Sequence, residues 1–190
     1  MIAGTGSKII TTNGGTFGGQ ETAGAIALSG GWIYNALDAL NLDAVENEIN
    51  GLDTCFSHTS GSGIFHYHIW SPCIRKGKGL APNVSSVVPS MCKNVSTCIA
   101  NPASYAISFG YSGVDKINAE IIGLGRDGHP VYGPWNESGL QWDCDKHDIC
   151  NGAFLADGSY GYVSTSTFPY VVGCWGPGVG QNYKATCTKT

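Results

Sequence analysis

The frame D-x-C-x7-G-x-[FY]-x-Y occurs twice in this chain, at an offset of 95 residues, and it restricts the fold more than any other feature. Its first copy runs from Asp53 and Cys55 through Gly63 to Phe65 and Tyr67, its second from Asp148 and Cys150 through Gly158 to Tyr160 and Tyr162. Upstream, Gly30-Gly-Trp-Ile33-Tyr34-Asn-Ala resembles Gly128-His-Pro-Val131-Tyr132-Gly-Pro, at an offset of 98. Two blocks kept in the same order point to an internal duplication. The expected domain spans 24–175, with halves at 24–74 and 122–175. An insert, 75–120, opens on Arg75-Lys-Gly-Lys78 and is then rich in Ser, Pro and Asn. Residues 1–23 are Gly/Thr-rich with a short strand signal at Lys8-Ile-Ile10, and a Gly-rich tail covers 176–190.

Eight cysteines form an even set with no C-x-x-C among them. Free buried thiols and a zinc knot are the alternatives, but a disulfide framework in an oxidising compartment is the expected use. By analogy between the halves, Cys55 pairs with Cys73 and Cys150 with Cys174, each tying a turn to its strand exit. Cys92 and Cys98 would close a loop in the insert, and Cys187 would tie back the tail. The 28 glycines are about 15% of the chain, roughly twice ordinary usage, while charged residues reach only 13%. That balance argues against a helical bundle or a charged disordered chain. The expected fold is therefore mainly β: a single compact disulfide-linked domain built from two pseudo-symmetric repeat halves.

Ten basic residues within a net charge of −4 give no electrostatic footprint for nucleic acid. No apolar run approaches the ~18 residues that cross a bilayer. The N-terminal Met-Ile-Ala-Gly-Thr-Gly has neither a charged nor an apolar leader region, so secretion would imply a leader already removed. Sequons at Asn83, Asn94 and Asn136 permit glycans.

Alternation predicts strands over 64–70 and 159–165. In the first, Phe65, Tyr67 and Ile69 take one face, and Ile64, His66, His68 and Trp70 the other. Aromatic and β-branched content predicts further strands over Ala103–Tyr111 and Phe168–Val172. The single helix candidate is Ala36–Ile49, with a ragged stripe of Leu37, Leu40, Val45 and Ile49.

Three of the five histidines fall between 58 and 68. His66 and His68, two apart on a strand, project from one face with Cα atoms about 6.7 Å apart, so their rings can converge on one ion. His58, in the preceding turn, is a candidate third ligand. In the duplicated frame His58 aligns with Ala153, His66 with Gly161 and His68 with Val163, whereas the Asp, Cys, Gly and aromatic positions recur. Residues that shape the fold are thus kept in both halves, and the histidines belong to one. His129, from the matching loop of the second half, is a fourth candidate, with His147 behind it. Three neutral imidazoles favour zinc or copper; two with a carboxylate would suit zinc or non-haem iron. Arg126 and Asp127 are candidates to support the ligands, and Asp53 and Asp148 read as turn residues.

Other motifs carry less. Gly123-Leu-Gly125-Arg-Asp-Gly128 matches a dinucleotide fingerprint, but Pro130 and Pro134 forbid the helix that must follow. No G-x-S-x-G elbow occurs, and the Asp143, Asp145, Asp148 cluster lacks the glycine of a calcium loop. Trp135, Trp142, Trp175 and Tyr170 are expected in the core, with a sugar-stacking platform as the alternative.

Phe65-His66-Tyr67-His68, with Leu52-Asp-x-Cys55-x-x-His58 upstream, resembles the signature of the YHYH domain family. Asp127-Gly-His-Pro-Val-Tyr-Gly-Pro134, Asp148-Ile-Cys150-Asn-Gly152 and Thr167-Phe-Pro-Tyr170-Val-Val-Gly-Cys174 agree with it. The opening Tyr is Phe65 here, and Tyr160-Gly-Tyr162-Val lacks the histidines that relatives carry, so no second, symmetric metal site is expected. The resemblance implies a secreted or surface-exposed domain, of the kind found in bacteria and eukaryotic microbes, and names no reaction. The expected function is an extracellular metal-binding protein, or a copper or zinc metalloenzyme acting on an extracellular substrate. A structural or adhesive module that self-associates, or a carbohydrate-binding module, is the competing expectation.

Overall fold

The computed structural model describes residues 22–74, 91–109 and 119–177. The strand signal at Lys8-Ile-Ile10, the Arg75–Lys78 turn and Cys187 lie outside them. The elements are β1 (Ala23–Ala27), β2 (Trp32–Tyr34), α1 (Ala44–Asn47), β3 (Ser57–Thr59), β4 (Phe65–Tyr67), α2 (Ser96–Ala100), α3 (Pro102–Ser108), β5 (Ile121–Gly125), β6 (Pro130–Tyr132), β7 (Gly152–Phe154) and β8 (Tyr160–Val163). The strands form one eight-stranded sheet in the order β3-β4-β2-β1-β5-β6-β8-β7. At its middle β1 runs antiparallel to β5, with Ile26 opposite Leu124. On one flank β2 pairs antiparallel with β1 and parallel with β4, and β3 closes the edge. On the other, β6 pairs antiparallel with β5 and parallel with β8, and β7 closes the edge. The chain is mainly β, as its composition predicts.

Local chemistry explains why the D-x-C…G frame makes these hairpins. Asp53 Oδ1 accepts from the amides of Cys55 and Ser57 and from the Ser57 hydroxyl, at 2.8, 3.0 and 2.8 Å. Asp148 Oδ1 accepts from the amides of Cys150 and Gly152, at 2.9 and 2.8 Å. Each carboxylate thereby holds a turn whose fourth residue, Phe56 or Asn151, sits at positive φ (55° and 63°). Seven residues beyond, Gly63 and Gly158 take φ of 80° and 83° and turn the chain into β4 and β8. We expect Asp53→Ala, which removes three hydrogen bonds to one turn, to lower the unfolding free energy by about 2–3 kcal/mol. Urea denaturation with an unchanged slope checks this.

Disulfides join Cys55 to Cys73, Cys92 to Cys98 and Cys150 to Cys174, the three pairings expected from the sequence. Cys144 is disulfide-bonded as well, and no described cysteine is free. The register partners Ile33 with Tyr67 and Val131 with Tyr162 bury one face of the sheet. Trp70, Phe56, Ile122 and the Ala103, Ala106, Ile107 stripe of α3 join them in the main core.

Three expected elements differ. Ala103–Tyr111, read as a strand, begins as helix α3: Pro102 opens it and Asn101 Oδ1 accepts from the Ser104 amide at 2.8 Å. The i, i+3, i+4 spacing of its buried residues outweighs the β propensity of Tyr105, Ile107 and Phe109. Phe168–Val172 is a turn rather than a strand, with the Tyr170 amide donating to Thr167 O and Tyr170 at φ 64°. The helix candidate Ala36–Ile49 shrinks to α1 and a 3-10 turn at Ile49–Gly51. Asp38 Oδ1 captures the amides of Leu40 and Leu42, so the chain loops until Asp43 caps α1 through Val45 and Glu46. Short Asp side chains compete with the helix for backbone donors.

Candidate metal centre

His58 and His66 are register partners on β3 and β4, and Trp32 of β2 is the other partner of His66. Partners share a sheet face, so the His58 and His66 rings meet on the face opposite Ile33 and Tyr67. His68, one step past β4, points the same way. The ligand-capable nitrogens of His58, His66 and His68 all lie within 4.8 Å of one another, the one such group of three or more among the described residues. His58 lies on a strand rather than in the turn expected for it. The segment between β2 and β3 covers the cluster, so that His66 and His68 are fully buried and His58 partly so.

The hydrogen bonds orient two rings toward one point. His66 Nδ1 donates to Ile64 O at 3.0 Å, and His68 Nδ1 donates to Asn35 O at 2.6 Å. A carbonyl oxygen only accepts, so both Nδ1 atoms carry the proton and both Nε2 atoms present lone pairs when the rings are neutral. Those Nε2 atoms face each other at 2.9 Å. Tyr34 stacks on His66 with centroids 4.1 Å apart and holds its plane. Burial above all pushes the His68 pKa down to about 3 and that of His58 to about 4, with His66 adding to both. At neutral pH these two imidazoles are uncharged, the state in which they bind metals.

Glu48, which caps the C-terminal end of α1, brings Oε2 to 3.3 Å from His58 Nε2 and 3.5 Å from His68 Nε2. No signal in the sequence singled it out. It lies in the ragged helix candidate beside Glu46, and only the path of the covering segment separates the two.

His129 does not join the cluster. It lies at the β5–β6 turn, where Nδ1 donates to Asp127 Oδ2 at 3.0 Å and the ring meets the edges of Tyr160 and Tyr162. Strands β2, β1 and β5 separate β4 from β6, four strand spacings or about 19 Å. Asp127 also accepts from the Tyr162 hydroxyl, and Arg126 donates to Ala23 O, so neither supports the histidines. His147 is buried with Nδ1 on Asp148 O, and burial lowers its pKa. On the second flank, Tyr132, Ala153 and Val163 form a small apolar cluster on the face equivalent to that of the histidines. A Cβ at Gly161 would lie 2.5 Å from Tyr132 Cε2 and 2.8 Å from Pro130 O, so no side chain fits there. Trp135 packs edge-on against Trp70 in the core, and Trp142 Nε1 donates to Gly133 O. Tyr170 is buried with its hydroxyl on Asp43. Of the four rings, Trp135 and Tyr170 are thus buried, and Trp142 and Trp175 are half-buried.

The fold and this cluster define a disulfide-linked β-sheet protein with a buried, preoriented set of imidazoles. The chain belongs to the YHYH family: the family model, described as YHYH protein, matches residues 3–143. The match includes all three clustered histidines and stops before β7 and β8. No curated protein and no solved structure matches the chain.

Proposed function

We propose that this is an extracellular metal-binding protein whose ion, zinc or copper, is held by His58, His66 and His68. The carrying observation is the pair of Nε2 atoms 2.9 Å apart, each with its Nδ1 committed to a carbonyl. Two lone pairs at that distance repel unless a proton or a metal ion lies between or beside them, and a metal ion is the occupant that the third ring beside them would also suit. Ligating histidines characteristically donate their other nitrogen to a carbonyl or carboxylate, which is the arrangement of His66 and His68. Three disulfides favour an oxidising, extracellular setting, and no helix among the described residues is long and apolar enough to cross a membrane. The edge at His58 and Glu48 is where water or substrate would reach the ion, zinc activating water or copper carrying electrons.

The same reading includes a duplicated origin for the two flanks, supported by their matching strand orders and by the recurrent Asp and Gly turns. In it the second flank has filled its equivalent position with apolar side chains. The test of the metal reading is elemental analysis of protein purified without a histidine tag, beside a folded His66→Ala/His68→Ala variant. Near one equivalent of zinc or copper, absent from the variant, is the expected result. No metal in either protein after incubation with both ions overturns it.

One observation favours a second reading, a structural module that self-associates. Ile26 is in register with both Trp32 and Leu124, and these three with Leu28 leave an apolar row exposed on the sheet. Self-association on size-exclusion chromatography, unchanged by chelator, would support that reading.

A further inference from the structure

We propose that the cavity between α1, the α2–α3 junction and the turn at 166–170 is a binding site for a small organic cation, a protonated amine carried on an apolar body. None of its lining residues belongs to the histidine cluster, so the inference goes beyond the metal reading. The cavity has a volume of about 320 Å³, at the lower end of the roughly 300–1,000 Å³ typical of small-molecule sites. Its apolar lining comes from Ile49, Ile99, Pro102, Phe168 and Tyr170, and Ile99 leaves 53% of its surface to solvent. Glu46 supplies the one formal charge among the described lining residues.

Hydrogen bonds between its walls hold the cavity in shape. Asn101 Oδ1 accepts from the Ser104 amide at 2.8 Å and its Nδ2 donates to Ser166 O at 3.1 Å, which fixes the start of α3 against the turn. The Tyr170 hydroxyl donates to Asp43 Oδ2 at 2.8 Å and ties the same turn to the cap of α1. Tyr170 sits at φ 64°, a conformation that a residue with a side chain keeps only when its surroundings enforce it. The Phe168 ring meets that of Tyr170 edge-on, with centroids 5.9 Å apart. A pocket built in advance binds without the cost of being ordered. Charge then selects the ligand. Both Asp43 oxygens are committed, Oδ1 to the Val45 and Glu46 amides and Oδ2 to Tyr170, and Glu46 adds a second carboxylate nearby. Burial above all raises the Asp43 carboxyl to about 6, and the Glu46 charge adds to it. Burial likewise raises the Tyr170 hydroxyl, with Asp43 and then Glu46 adding to it, so the charge of Glu46 is felt at the cavity wall. A cation beside Glu46 relieves this repulsion, and an anion deepens it. An apolar body on that cation covers Ile99 and Phe168.

The test titrates isotope-labelled protein with cyclohexylammonium and with cyclohexanol, its uncharged counterpart, and follows the backbone amide resonances by NMR. We expect shifts centred on Ile49, Ile99, Phe168 and Tyr170. The cation should bind about fivefold more tightly than the alcohol, the contribution of one solvent-exposed ion pair. Glu46→Gln should bring the two probes to equal affinity by weakening the cation alone, and Ile99→Gln should weaken both. Both side chains are exposed, so neither substitution threatens the fold. Glucosamine, as a third probe, separates two sources of such a cation: tighter binding than cyclohexylammonium supports an amino sugar, and weaker binding an aliphatic amine. Equal affinity of the wild type for cyclohexylammonium and cyclohexanol overturns the proposal. So does binding of neither probe, or a pattern of shifts centred away from the cavity. A preference for the cation that survives in Glu46→Gln also overturns it, because the charge recognised would then lie elsewhere.

Discussion

Replacing both His66 and His68 with alanine will lower zinc or copper affinity at least about a thousand-fold, the consequence of removing two ligands from a site whose binding energy is shared among a few donors. The effect reaches stability, because an ion that binds only the native state stabilises it by mass action. At a free metal concentration 100 times the dissociation constant, the wild-type protein gains about 2.7 kcal/mol, and the variant gains nothing. The two rings are fully buried, so their removal also opens space beside Tyr34 and lowers the metal-free baseline. The comparison that matters is therefore the metal-dependent shift in melting temperature within each protein. A shift of equal size in both would mean that the ion binds elsewhere.

The second large effect is acid sensitivity of the metal-free protein. An exposed histidine in the unfolded chain titrates near 6.5, whereas burial lowers His58 to about 4 and His68 to about 3. Between pH 6.5 and those values the unfolded chain binds protons that the native state refuses. The contribution of these residues to stability is therefore complete above pH 6.5 and is lost as pH falls toward 4 and then 3. Each histidine sets a limit of about 1.4 kcal/mol per pH unit within its window. His58 retains some solvent contact and falls short of that limit. Asp43 works in the opposite direction, since burial raises it to about 6 and its native carboxyl takes up a proton first. The clean measurement is thus a difference: urea stabilities of the wild type and His58→Gln/His68→Gln at pH 7, 5.5 and 4.5. The wild type should lose a few kcal/mol more than the variant over that range, with Asp43 cancelling. Parallel curves would mean that the two rings are not held neutral in the fold.

Short-range features were legible in the sequence because they depend on backbone conformation over fewer than about ten residues. The Asp53 and Asp148 turns, the positive-φ glycines Gly63 and Gly158, and the Cys92–Cys98 bridge follow from such spacing, whereas Cys55–Cys73 and Cys150–Cys174, 18 and 24 residues apart, were expected from the likeness between the two halves. The convergence of His66 and His68 was readable for the same reason, since the two-residue period of a strand aims both rings one way. Where local signals competed, propensity misled: α3 carries aromatic and β-branched residues, yet Asn101, Pro102 and its buried i, i+3, i+4 stripe make it a helix.

What only the tertiary structure decided is which distant residues meet. His58 and His66 face each other because β3 pairs with β4 in a particular register, and a slip of one residue would have turned His58 away. His129 was equally eligible by composition, but the antiparallel joining of β1 to β5 at the middle of the sheet puts it on the far flank. Glu46 and Glu48 cannot be told apart in the sequence. A loop that Asp38 and Asp43 force off the helical path delivers Glu48 to the histidines. The amino-acid sequence by itself determined the turns, the short Cys92–Cys98 bridge and the direction of two imidazoles, because neighbouring dihedrals suffice for them. The third histidine, the carboxylate and the exclusion of His129 depend on strand order and register, which arise only when the whole sheet assembles.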